Sequence, residues 1–198
     1  MLLAIVTSKG GAGKTTAAVH LAAALARTRS RPSVVLLDGD ANLSATAWHA
    51  RGAGALPFEV RPIAAGAGTA EHVVIDTAAN EATADLLDLA RVADRVIVPS
   101  PPTALDLVVT LATLRLLEPV TPRPFVLLTR CPPSPQTDAA DARELLTSRG
   151  AHVLTTEVPN RKPYQTAALE GVTIRDVRDR SANALWDAWP RIIREVSA

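Results

Sequence analysis

The chain carries 198 residues, 47% of them hydrophobic and 3% aromatic, with a formal net charge of +1. These values fit one globular domain, residues 1–198, with a sizeable core built mainly from Ala, Leu and Val. They leave no apolar run of membrane-spanning length, and the single cysteine, Cys131, excludes a disulfide framework.

Leu2-Leu3-Ala4-Ile5-Val6 is short, apolar and bounded, as a buried strand is. It begins too early for a leader peptide to be expected ahead of it, so a reducing cytoplasm is the expected compartment. Next comes Ser8-Lys9-Gly10-Gly11-Ala12-Gly13-Lys14-Thr15-Thr16, and then an Ala- and Leu-rich run, Ala17 to Arg27, suited to a helix. Strand, glycine loop, helix is the setting of a phosphate loop. Gly10, Gly11 and Gly13 allow the backbone amides from Gly10 to Thr16 to close on an anion, aided by the helix N-terminus. Lys14 would neutralise the outer phosphates of ATP, and the Thr15 hydroxyl would ligate Mg²⁺.

One position departs from the general G-x-x-x-x-G-K-[ST] pattern: Ser8 replaces the first glycine, and Lys9 follows it. The chain has three lysines, Lys9, Lys14 and Lys162, against eighteen arginines, so two of its three lysines lie in this loop. Lys-Gly-Gly-x-Gly-Lys-Thr-Thr resembles the deviant Walker A motif of the ParA/MinD ATPases. The resemblance implies that Lys9 serves a partner subunit.

Ser33 to Leu37 reads as the second strand, running into Asp38-Gly39-Asp40-Ala41-Asn42. One reading is an Asx turn capping the helix that follows, Leu43 to Arg51. The other, favoured by the glycine loop, sets both carboxylates at the ligand edge of an open α/β sheet. The segment is similar to the switch I region of ParA proteins, with Ala41 and Asn42 in place of Pro-Gln. That similarity implies Asp38 near the metal and Asp40 on the attacking water. Phe58-Glu59-Val60 suggests an edge strand. His72 to Thr77 is a strand ending in Asp76, the Walker B pattern, where Asp76 would hold the Mg²⁺ shell. Alternatively, Asp76 caps a helix over 78–89.

Arg95 to Val98 is a further strand, followed by the proline run Pro99 to Thr103 and a helix over 105–117. The prolines act as a rigid connector or, by resemblance to small ParA proteins, lie near a dimer interface. Phe125 to Arg130 is the next strand. Arg130 at its end is a surface arginine or, by the same resemblance, a nucleotide contact. A helix over 138–149 stops at Gly150, and His152 to Leu154 forms the last short strand. Pro159 falls where the family's adenine loop does. Strand–helix alternation predicts a doubly wound, mainly parallel α/β sheet.

Beyond Asn160 the pattern is helical. Its basic residues include Arg175, Arg178, Arg180, Arg191 and Arg194, set against five acids. They form a solvated face or, as in ParA relatives, a surface for nonspecific double-stranded DNA. Leu185, Trp189, Ile192, Ile193 and Val196 have helical spacing that suits core packing, and Pro190 is expected to interrupt any amphipathic helix there. No membrane contact is therefore expected, which argues against a MinD-like positioner.

The resemblance extends over most of the chain and points to the short ParA/Soj partition ATPases. It implies an ATP–Mg²⁺ sandwich homodimer, nucleoid association, slow hydrolysis, and stimulation by a ParB-like partner.

Overall fold

The computed structural model describes residues 1–79, 82–121 and 123–198. Among them, one sheet contains β1 (Leu2–Ile5), β2 (Val34–Asp38), β3 (Glu59–Pro62), β4 (His72–Asp76), β5 (Arg95–Ser100), β6 (Phe125–Leu128) and β7 (His152–Val153). The spatial order is β3-β2-β4-β1-β5-β6-β7, and neighbouring strands pair in parallel. The helices are α1 (Lys14–Ala26), α2 (Ser44–Arg51), α3 (Thr83–Val92), α4 (Ala104–Leu117), α5 (Asp138–Ser148), α6 (Lys162–Glu170), α7 (Ala182–Trp186) and α8 (Ala188–Ser197). This is the doubly wound architecture that the alternation predicts, with β3 as the expected edge.

Side chains alternate across each strand, and that alternation sorts the core into layers. Leu3, Ile5, Leu36, Val74, Ile97 and Leu127 face one layer with α1 and α8. Ala4, Val6, Val96 and Val98 face Leu86 of α3 and Leu117 of α4. Val126 and Leu128 face Leu107 of α4 and Leu146 of α5. With helices on both faces, the strands need apolar residues on both sides, so they read as continuous hydrophobic runs. Helix α1 is buried on nearly every side because Ala17, Ala18, Ala22 and Ala23 leave room for sheet and helix alike.

Two expectations need correction. The helix after β4 begins at Thr83, not residue 78, and Asp76 does not cap it: the Asp76 side chain is fully buried at the strand end. Pro190 does not interrupt the last helix. It occupies the third position of α8, in the first turn, where its missing N–H is not needed. That helix is amphipathic, and Trp189, Ile192, Ile193 and Val196 are buried in the layer shared with α1, the three aliphatic side chains each worth about 1.5–3 kcal/mol of apolar burial.

A glycine pair ties the end of α2 to the end of α6. Gly171 has φ +71, and a Cβ there would stand 2.0 Å from the Gly52 nitrogen and 2.6 Å from the Trp48 carbonyl oxygen. The contact is reinforced where Trp48 Nε1–H donates to the Val172 carbonyl (3.0 Å) and Arg51 Nε–H to that of Ala168 (2.8 Å).

Candidate functional site

The central strand β1 delivers the glycine loop to the C-terminal edge of the sheet, between neighbours β4 and β5 that are not adjacent to it in sequence. A ligand crevice belongs at this crossing point. Gly11 and Gly13 hold φ +79 and +92, a region closed to most side chains, and Gly13 is the N-cap of α1 with no side chain over the helix amides. Lys14 is buried and arches back over its own loop, donating to the carbonyls of Lys9 (3.2 Å) and Thr7 (3.5 Å). The loop is braced from β6 by Thr129. Its hydroxyl donates to the Ala12 carbonyl (2.8 Å), and its Cβ would lie 3.7 Å from a Cβ on Gly13.

Strand register brings the carboxylates together. Asp76 pairs with Ile5 on one side and with Asp38 on the other. Both Asp76 oxygens are buried without a hydrogen-bond partner among the described residues. Burial pushes its pKa up to about 7; Asp38 and Asp40 add to the rise, while Thr15 and Lys14 oppose it. A buried, orphaned carboxylate beside a threonine hydroxyl fits a divalent cation, so Asp76 and Thr15 suit Mg²⁺.

Asp38 is also buried, but its oxygens are engaged. One accepts from the Thr46 amide and hydroxyl (2.8 Å each), the other from the Asp40 amide (3.2 Å). Asp40 accepts from the Asn42 amide (2.9 Å) and from Ser44 Oγ (3.3 Å). The two carboxylates thus stand at the C-terminal edge of the sheet, beside the glycine loop, and they also shape the turn into α2.

Lys9 points away from the loop. Its ammonium lies 2.5 Å from Asp106 Oδ1, in the first turn of α4. Thr103, the N-cap of that helix, donates to the other Asp106 oxygen and accepts from the Asp106 amide (3.3 Å). The proline run before α4 thus delivers a capped carboxylate to the rim of the phosphate loop.

The two candidate base contacts are brought together. Arg130, exposed and at φ +51, precedes Cys131, which forms a parallel bridge to Pro159. The C-terminal arginines are all exposed but divide between two places. Arg175, Arg178 and Arg180 follow α6, whereas Arg191 and Arg194 lie on the outer face of α8. Arg175 is 6.0 Å from the Trp186 ring.

Sequence reading missed three supporting residues: Thr129, Asp106 and His20. A threonine at a strand end and an aspartate three residues past a helix cap are faint signals. His20 sits fully buried in α1, its Nδ1 2.7 Å from the Thr16 carbonyl, while its Nε2 accepts from the Ile174 amide (2.9 Å). That pattern requires the neutral Nδ1–H tautomer, and burial lowers its pKa to about 4.

Residues 3–174 match the model of the CobQ/CobB/MinD/ParA nucleotide binding domain. The chain is 35% identical over 208 residues to Maintenance of carboxysome distribution protein A of Gloeobacter kilaueensis, covering 98% of this chain and 93% of that protein. A variant of McdA from Cyanothece solved with ATP superposes with a TM-score of 0.76 at 14% identity, covering 99% of this chain and 96% of the other. MinD of Pyrococcus horikoshii with Mg-ADP gives 0.66 at 18% identity, covering 100% and 98%. At such identities these structures share the fold.

Proposed function

Because the chain belongs to the CobQ/CobB/MinD/ParA nucleotide-binding family, we propose that it is an ATP-driven positioning ATPase. In this reading it pairs with a second copy around ATP–Mg²⁺, binds DNA without sequence preference, and hydrolyses ATP slowly until a ParB-like partner accelerates it. The likeness to a carboxysome distribution protein favours a protein body as the cargo over a plasmid or chromosome. A membrane-bound role is disfavoured because the apolar face of α8 is spent on α1.

One observation carries the reading: a single phosphate loop has two lysines aimed in different directions. Lys14 is turned inward over the loop, and Lys9 outward to the rim. A monomeric phosphate loop needs only the first. In the pair, the amides from Gly10 to Thr16 and the Lys14 ammonium would hold the phosphates, with Asp76 and Thr15 holding the metal. Mg²⁺ supplies charge neutralisation across the outer phosphates. Asp40 would orient the attacking water, Arg130 and Pro159 would border the base, and Asp38 would keep α2 and the switch turn in place. Lys9 would leave Asp106 and supply positive charge to the neighbour's phosphates, as an arginine finger does in trans.

Light scattering with ATP and Mg²⁺, beside a nucleotide-binding assay, tests this. Lys9→Ala should bind ATP yet remain monomeric and nearly inactive, and Lys14→Ala should lose ATP itself. A Lys9 variant that pairs and turns over like the wild type would end the reading.

A further inference from the structure

Three guanidinium groups from different parts of the fold converge on one cleft at the edge of the sheet where the strands begin. The cleft has a volume of about 510 Å³ and lies between the last turn of α4, the link into β6 and the turn from α5 into β7. Arg115, Arg123 and Arg149 line it, with His152 beside them and Glu118 as its one acid. None of the three arginine side chains has an ion-pair or hydrogen-bond partner among the described residues. Arg115 and Arg149 sit at helix C-termini, where the backbone dipole alone favours a cation. Arg123 lies on the link and has no such reason to be there.

We propose that this cleft is the contact for the DNA backbone, an assignment that rests on the positioning reading above. Planar guanidiniums match phosphate oxygens two at a time, and three of them around one concavity suit successive phosphates. The segment Arg175-Asp176-Val177-Arg178-Asp179-Arg180 is a weaker competitor. Its two carboxylates alternate with its three arginines, and Arg175 lies against Trp186. An acidic protein segment would satisfy the same charges, but the cleft offers it little apolar anchorage.

Position supports the assignment as well. The glycine loop is at the opposite edge of the parallel sheet, so two copies joined through their nucleotide sites would leave both clefts open. Pairing then doubles the phosphates neutralised and makes retention ATP-dependent without any change inside the cleft.

The experiment compares wild type, Arg115→Ala/Arg123→Ala/Arg149→Ala and Arg175→Ala/Arg178→Ala/Arg180→Ala on a mixed-sequence DNA duplex with ATP and Mg²⁺ across a salt series. The cleft variant should lose retention, and its slope of log affinity against log salt should shrink by about one per arginine removed, about three per subunit. The other triple variant should keep nearly the wild-type slope. ATP binding should be unchanged in both, and thermal melting should fall only slightly, by the loss of helix-terminal charges in the cleft variant and of the Arg175–Trp186 contact in the other. Wild-type retention by the cleft variant would overturn the assignment while sparing the positioning reading. Retained DNA binding with lost binding to poly-glutamate would make the cleft an acidic-protein site and overturn it too. A wild-type protein that ignores DNA while still pairing with ATP would remove DNA from the positioning reading, and the assignment with it.

Discussion

The Lys9 ammonium and the Asp106 carboxylate, 97 positions apart in sequence, meet at 2.5 Å on the rim of the phosphate loop. Asp106 is nearly buried and held on its other oxygen by Thr103, so the pair has one fixed and one mobile member. Lys9 can leave; Asp106 cannot follow. In the proposed pair this contact would compete with any contact that Lys9 makes to a neighbour, and the strength of the latch would set part of the threshold for pairing.

Asp106→Asn should therefore ease ATP-dependent pairing. Lys9 is more than a third exposed, so the bond is worth only about 0.5 kcal/mol. Released in both subunits, that corresponds to an increase on the order of fivefold in the dimerisation constant. Sedimentation or light scattering against protein concentration reads it directly, and an unchanged constant would mean that the latch does not oppose pairing.

The buried titratable groups predict an unusual pH response. Asp76 titrates near 7 in the fold, against 3.8 ordinarily, so its stabilising contribution is complete below about 3.8 and disappears as pH rises through 7. His20 behaves oppositely. Its folded pKa near 4 against 6.5 means that stability is complete above 6.5 and is lost as pH falls towards 4. Between pH 4 and 6.5 the folded and unfolded chains then bind equal numbers of protons at these two sites, and the slopes cancel. Asp76→Asn should expose the His20 slope in urea unfolding without nucleotide. It should also stabilise the protein at pH 8, by on the order of a few kcal/mol, while abolishing Mg²⁺-dependent turnover.

Gly171→Ala should cost about 3 kcal/mol or more, because the new Cβ collides with backbone at Gly52 and Trp48 and the residue sits at positive φ. Urea unfolding measures the loss. An alanine there that unfolds like the wild type would mean that α2 and α6 separate easily.

Local chemistry made the glycine-loop half of the candidate site legible. Glycines, lysines and strand-end carboxylates announce themselves by spacing, and parallel register then placed Asp38 beside Asp76. What stayed hidden depends on tertiary geometry. Nothing near Asp106 in sequence marks it as the partner of Lys9, and His20 looks like any helical residue until Ile174 folds back onto it. Pro190 misled because the first turn of α8 was not recognisable from its flanks. The Asp40 side chain shows the limit of either/or reading: an Asx turn and a ligand-edge carboxylate are the same group.

The two edges of the sheet constrain any larger assembly. At one end β7 offers two residues, His152 and Val153. At the other, β3 ends in Pro62 and carries the Glu59–Arg61 ion pair along its rim. Short, charged and proline-stopped borders resist adding a foreign strand. Any polymer of this chain would be stacked through side chains and helices and free of the backbone zippering that turns transient oligomers into permanent fibres.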